Sequence, residues 1–369
     1  MSMRLTGANV LDWQRPVSGV GIPKMKQWFH QRVVFPVALG VLSLSGLTAP
    51  AETCVTQSQM KPAERDALAA SAKALALKIQ ANDQPGVRAA TIPEYAKDFS
   101  GIAGTISDSA PTLKGESPGV EQVYLLDASA NKRNADGTPT DAQFYCSLNK
   151  SPTETDFNIG SLPPGRYAFA MVRFTGPQPE LLSLLLRQDS AASPWQLAGL
   201  YPKPTTAAGH DGLWYWKQAR ALAAAKQPWS AYVFYQEAQN LLQPAGFVSS
   251  THLENLRTER NAATPLANGI GLDNPLLLKG PDGTEYRFTA IFPNNTLGKD
   301  KLDVAADLHV PSLGDPATVR QRTLAAMNVL LTAHPELRQN FHGVWIFTYP
   351  ANAPSQNPLA TEAAMDEIH

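Results

Sequence analysis

Apolar residues recur along this chain at two different periods, and the switches between them mark out its elements. From Pro62 the period is helical, with Leu68, Leu75 and Ile79 on one face and Arg65, Lys73 and Lys78 elsewhere. Gln84-Pro85-Gly86 predicts a break. A second helix is predicted beyond it, because Ile92, Tyr95, Ala96, Phe99, Ile102, Ala103 and Ile106 fit i, i+3, i+4, i+7 spacing behind Pro93 in the first turn. Strand-like runs then follow at 121–127, 142–148, 166–175, 181–187 and 195–201. Turn chemistry separates them, as in Asn134-Ala135-Asp136-Gly137 and Pro163-Pro164-Gly165. Two helices and then a run of strands predict an α+β layout over 52–205, with the helices on one face of an antiparallel, curved sheet.

The helical period returns after the Pro- and Gly-containing stretch 200–212. Helices are predicted at 211–226 and 229–243, split at Gln227-Pro228, and they make 206–262 a helical hairpin. Ala231, Tyr235 and Ala238 have the spacing of a tetratricopeptide helix, but in one copy, which predicts a hairpin and not a repeat array. From 263 to 350 strands are predicted at 275–279 and 284–292 around the GPDG turn (280–283), and at 302–310 and 343–349. Between the last two lies a helix over 316–333, with Asp315 as N-cap and Pro316 in its first turn. This is a small C-terminal α+β unit. Residues 351–369 read as a loose tail.

Composition adds a location. The 369 residues are 43% hydrophobic and 17% charged, enough apolar material for real cores. The stretch from Met25 has the three parts of a signal peptide: basic Lys26 and Arg32, an apolar run from Val33 to Leu47, and Ala49-Pro50-Ala51 as a cleavage site. The apolar run is shorter than the roughly 20 residues that cross a bilayer, so cleavage near Ala51 is expected, with no stable membrane span afterwards. Residues 1–24 are polar and aperiodic, as an over-extended start would be. With 1–51 set aside, 26 basic residues stand against 31 acidic ones, and no basic stripe marks a nucleic-acid partner. The two cysteines, Cys54 and Cys146, both lie in the expected mature chain and predict a disulfide in an oxidising compartment.

Chemistry is sparse. AGHDGLWYWK (208–217) places His210 beside Asp211 and follows them with Trp214, Tyr215 and Trp216. Asp211 is placed to N-cap the next helix, and the rings spread round more than half of it. His210, Asp211, Trp214 and Trp216 are therefore the candidate ligand contacts, with helix capping and packing as the competing role. His334 and His342 stand eight apart, lack the i, i+4 spacing of paired metal ligands, and are interrupted by Pro335. His334 reads instead as a helix-ending residue. The loop 131–141 has Lys132 where a calcium loop needs its first ligand, and reads as a hairpin loop. No metal, cofactor or catalytic residue is expected.

The strand Trp195-Gln196-Leu197-Ala198-Gly199-Leu200-Tyr201 resembles the closing strand of the nuclear-transport-factor-2-like fold. That resemblance, extended over 52–205, implies a curved sheet wrapped on helices around a pocket, and implies no function. The signal-peptide layout, the α+β pattern, GHDGLWYW (209–216) and HPELRQNFHGVW (334–345) together resemble a family of exported acidobacterial proteins without an assigned activity. It implies a periplasmic or secreted location. The expectation is an exported, non-catalytic envelope protein binding a small ligand or a protein partner. A periplasmic hydrolase or isomerase with its pocket in the first α+β region, and a structural envelope subunit, remain as alternatives.

Overall fold

The computed structural model describes residues 52–147, 154–298, 300–352 and 357–369, which belong to one unit over 49–369. The signal-peptide segment lies outside the described residues. Among those described, no helix is long and apolar enough to cross a membrane. The fold class is α+β.

The first half runs β1 (Thr53–Thr56), α1 (Pro62–Gln80), α2 (Gln84–Ala89), α3 (Pro93–Lys97), α4 (Ser100–Leu113), β2 (Ser117–Asp127), β3 (Ala142–Ser147), β4 (Glu154–Ile159), β5 (Arg166–Thr175), β6 (Glu180–Gln188) and β7 (Gln196–Pro204). The five strands β1-β2-β5-β6-β7 form an antiparallel sheet in that order. Helices cover one face: Leu68, Ala72, Leu75 and Ile79 of α1 and Ile106 and Leu113 of α4 pack against Val123, Ala170, Val172, Leu184 and Leu186. The other face is also covered, by β3 and β4 of a three-stranded sheet. Tyr124, Leu126, Tyr167, Phe169 and Leu185 meet Phe144, Phe157 and Ile159 there, with Tyr124, Phe157 and Phe169 packed edge-to-face at 5.1 and 5.2 Å. Burial on both faces is the reason β6 reads ELLSLLLRQ with no polar alternation. The face opposite the helices is filled with aromatic rings.

Several predicted elements are corrected. The expected break at Gln84-Pro85-Gly86 is the first turn of α2, whose Asp83 N-cap accepts from the Gly86 N–H at 3.0 Å. The single helix expected across Ile92–Ile106 is two, α3 and α4. Ile92 N–H donates to Leu197 O, which ties the start of the segment to β7, while Phe99 turns into the core and Tyr95 faces outward at 49% exposure. One straight helix cannot dock on a strand edge and present Ile106 to the same sheet. The loop 131–141, expected to close a hairpin, carries a bridge of its own between Arg133 and Pro139 and connects strands of two different sheets.

The second half runs β8 (Thr206–Ala207), β9 (His210–Asp211), α5 (Gly212–Ala224), α6 (Pro228–Leu242), β10 (Val248–Ser250), α7 (Thr251–Ala262), β11 (Leu276–Lys279), β12 (Glu285–Asn294), β13 (Asp303–Val310), α8 (Pro316–Ala333), α9 (Pro335–Asn340), β14 (Gly343–Pro350) and β15 (Leu359–Ala364). β10 returns to the first half, pairing with β4. α5 and α6 form the expected hairpin, with α7 as a third helix against α6. α5 ends in a reverse turn in which Lys226 N–H donates to Ala223 O and Gln227 N–H to Leu222 O, with Lys226 at φ 56°.

The hairpin and the C-terminal sheet share a core in which Tyr215, Phe234, Ala238, Phe288, Ile291, Val304, Leu308, Met327, Leu330 and Ile346 meet. The sheet order is β11-β12-β13-β14-β15, antiparallel except for β13–β14, whose parallel pairing is connected through α8 and α9. The residues read as a loose tail instead supply the edge strand β15. Thr361 and Ala363 are buried, and Met365 and Ile368 close the core beyond them.

Candidate functional site

The histidine–tryptophan segment is built as architecture. Ala208 and Gly209, both at positive φ, turn β8 back into β9 and deliver His210 and Asp211 to the start of α5. Asp211 Oδ1 accepts from the Trp214 N–H at 2.8 Å, a helix N-cap. The His210 ring lies on Trp214 with centroids 3.6 Å apart and planes 5° from parallel. Trp216 is buried at 9% exposure, donates from Nε1 to Glu259 at 2.8 Å, and carries the Arg220 guanidinium 4.6 Å above its ring. His210, Asp211 and Trp214 are thus brought together and Trp216 is not. His210 covers one face of Trp214, and Arg220 covers one face of Trp216.

The two late histidines are also apart. His334 ends α8 as its C-cap, but its ring packs by Trp229 at 5.5 Å, its Nε2 is buried without a partner, and burial pushes its pKa down. It ends the helix as a neutral ring, not as a cation answering the helix dipole. Among the described residues no group of three or more His, Cys, Asp or Glu could hold a metal.

Two further polar sites stand out among the described residues, one in the first half and one between the halves. A groove of about 470 Å³ is lined by Arg133, Arg166 and Arg187 together with Glu94 and Asp189. Arg187 is paired with Glu94 at 2.9 Å and Asp189 at 3.1 Å, and Arg166 with Glu64. The hydrogen bond from Arg187 holds the Glu94 carboxyl below its usual range. Ion pairs of this kind leave no proton poised for transfer near neutrality. The second site is a clamp between β7 and α6. Lys203 Nζ donates to the carbonyls of Asn240 and Gln243 at the C-terminal end of α6, the latter at 2.6 Å. Burial pushes Lys203 down to about 7 and the neighbouring Glu237, 8% exposed, up to about 7.

The C-terminal sheet offers something different. Its helices cover one face. On the other face the register sets out a grid: Arg287, His309 and Tyr349 in one row, Ala290, Asp307, Phe347 and Ala360 in the next, and Phe292, Ala305, Trp345 and Glu362 in the third. Phe292, Trp345, Phe347 and Tyr349 are all partly exposed, and Leu277 beside Arg287 is 49% exposed. Neighbouring rings lie nearly parallel: Phe292 and Phe347 at 6.0 Å and 17°, Trp345 and Phe347 at 6.2 Å and 18°, His309 and Tyr349 at 5.3 Å and 14°. Ala305, flanked in register by Phe292 and Trp345, is fully buried beneath this array.

The array is held at one edge, from the next row of the same face. Asp303 is fully buried, accepts from the N–H groups of Leu297 at 2.7 Å and Thr296 at 3.3 Å, and lies 3.4 Å from Trp345 Nε1. Its other oxygen is 3.3 Å from His342 Nδ1. A carboxylate fixed by two backbone amides sets the Trp345 ring in one orientation. This face was missed in the sequence. Its signal was the W-x-F-x-Y alternation at Trp345, Phe347 and Tyr349, three aromatic residues at the two-residue period of one strand face.

Comparison with known proteins returns no matching family model, no matching curated protein and no matching solved structure.

Proposed function

We propose that this chain is an exported, non-catalytic binding protein of the cell envelope whose recognition surface is the open face of the C-terminal sheet. The observation that carries the reading is the set of partly exposed rings of Phe292, Trp345 and Phe347, neighbour near-parallel to neighbour, with Tyr349 in the next row and Trp345 oriented by the buried Asp303. A folded chain that only needed a core would leave this face polar, as single-faced antiparallel sheets do. Apolar rings kept at the surface in register mark a binding site. Export is supported by the signal-peptide layout ending at Ala51 and by the Cys54–Cys146 disulfide, a bond that persists in oxidising compartments.

The test is co-sedimentation of the purified, oxidised protein with an insoluble cell-envelope fraction. The wild type is expected in the pellet, and Phe347→Ser and Trp345→Ser in the supernatant, with all three folded by circular dichroism. Equal pelleting of wild type and variants would refute the assignment of the surface. The N-terminal sequence of the protein recovered from a periplasm is expected to begin near Glu52, and recovery with residues 1–51 intact would refute the export step.

A further inference from the structure

The inference rests on the reading of the open sheet face as a recognition surface, and it names a partner for that face. We infer that the partner is a second copy of this chain, laid face to face on the first about a two-fold axis, with the strands of the two sheets crossing nearly at right angles.

The distribution of polar groups over the face selects this occupant. Asp307 beside Phe347, and His309 and Tyr349 in the neighbouring row, each already have an interaction partner within the chain. A molecule that covers them need not supply a counter-charge of its own. The charges left for a partner stand at opposite corners of the grid. Arg287 on β12 and Glu362 on β15 are exposed, and neither belongs to an ion pair among the described residues. They are three strands and two rows apart. A face with one positive and one negative corner is complementary to itself, because a two-fold axis joins each corner to the other twice.

That pairing also settles where the rings go. With strands about 4.8 Å apart and same-face residues about 6.8 Å apart, Glu362 lies about 14 Å across the strands and about 14 Å along them from Arg287. The axis that exchanges the two runs at about 45° to the strands, so the strands of the two copies cross at about 90°, one of the two ways in which sheets stack. On this lattice the centre of the interface falls beside Phe347 and Phe292 comes onto its own copy. Trp345 and Tyr349 come over the small residues Ala290 and Ala360. Large side chains therefore meet small ones, as a closely packed interface requires. Four strands by three rows make a patch roughly 20 Å on a side, and with the relief of the rings two copies bury on the order of 1,000 Å². This is the lower end for a specific interface and corresponds to a dissociation constant of about 10 μM. Dilution frees the face, which leaves the rings available to an envelope partner.

The experiment is sedimentation equilibrium of the oxidised protein recovered from a periplasm, over a hundredfold range of concentration around about 10 μM. A monomer–dimer equilibrium is expected, weakened about tenfold or more by Phe347→Ser. Arg287→Glu and Glu362→Arg each bring like charges together at both corners and are each expected to weaken association about tenfold. In an equimolar mixture of these two variants both corners again join opposite charges, and association is expected to return to within about threefold of the wild type. Both charge variants lie on the surface and should keep the wild-type urea midpoint, which separates a lost interface from a lost fold. Arg133→Ala, in the groove of the first half, is expected to dimerise as the wild type does.

A protein that stays monomeric, while Phe347→Ser still abolishes co-sedimentation with the envelope, overturns the second copy and leaves the recognition surface standing. A dimer that Phe347→Ser leaves intact overturns the placement on this face. If the mixture does not recover what each charge variant loses, the two-fold pairing of Arg287 with Glu362 is overturned. A dimer lost in Phe347→Ser, with co-sedimentation indifferent to that change, supports the second copy and overturns the envelope reading. A monomer whose co-sedimentation is also indifferent to Phe347 overturns both.

Discussion

Reducing the Cys54–Cys146 bond perturbs one well-defined part of the molecule. Cys54 lies on β1, the edge strand of the five-stranded sheet, and Cys146 on β3, the edge strand of the three-stranded sheet packed against it. The bond therefore staples two layers together, across 92 residues of chain. In the chain-entropy treatment, closing a loop of that length removes about 15.6 cal/mol/K from the unfolded ensemble, or about 4.6 kcal/mol at 25 °C. Against a total stability of roughly 5–15 kcal/mol this is a large share. The assay is urea unfolding of the oxidised protein and of the same protein held reduced, so that the covalent link is the only difference. With a urea slope of about 3 kcal/mol/M, the midpoint is expected to fall by about 1.5 M on reduction. Cys54→Ala/Cys146→Ala should match the reduced protein to within the small cost of the lost sulfur packing. Hydrogen exchange should quicken first in β1 and β3, and the core shared by α5, α6 and the C-terminal sheet should keep its protection. Coincident midpoints for the oxidised and reduced protein would refute the reasoning, because the staple would then constrain nothing the packing had not already fixed.

Three further outcomes follow from local geometry. Lys226, exposed and at φ 56° in the turn ending α5, pays the left-handed penalty that glycine avoids, so Lys226→Gly should stabilise the protein by about 1 kcal/mol in the same urea assay, and a loss would refute it. Asp211→Ala and Asp315→Ala each remove an N-cap acceptor, bonded to Trp214 N–H in the first case and to Ala317 and Thr318 N–H in the second, and should each cost about 1 kcal/mol. Asparagine at either position should restore most of the loss, and if it does not, the capping account is wrong. For Glu237 the sign follows from linkage. Burial raises its folded pKa from 4.5 to about 7, so the folded state holds a proton that the unfolded chain gives up, and the associated stability is full below 4.5 and is lost as pH rises to 7. Glu237→Gln has no proton to lose. Its stability relative to the wild type should rise by about 3 kcal/mol between pH 4.5 and pH 7, measured by urea unfolding at each pH, and a pH-independent difference would refute the linkage.

Much of the architecture is legible in local pattern. The span of α8 follows from Asp315, Pro316 and the apolar positions behind them, and β5 from its unbroken RYAFAMVRFT run. Signals of this kind are set by neighbours in sequence. The elements that were missed lack such signals. β10 is three residues long and exists because it pairs with β4, and β15 is LATEAA, a sequence of low strand propensity held by its ladder to β14. The split of the predicted helix at Phe99 is likewise decided from outside, by the bond from Ile92 to β7. Of the candidate residues, Asp211 acts as a cap, as its position before Trp214 indicates, but the sequence could not show that His210 covers one ring and Arg220 another.

The same division holds for the surface assigned to recognition. By itself the sequence determined the alternation of Trp345, Phe347 and Tyr349 against Val344, Ile346 and Thr348, and so which residues share a face of β14. A strand apolar on both faces reads as one buried on both faces, and β6 is such a strand, enclosed between helices and a second sheet. β14 carries a comparable pattern, yet helices close over the face of Val344, Ile346 and Thr348 and not over the aromatic one. Which of two apolar faces meets solvent depends on what packs against the sheet, and that is settled by contacts between segments far apart in the chain. The tertiary structure therefore decided what the alternation could not, that among the described residues the aromatic side of β14 stays partly exposed.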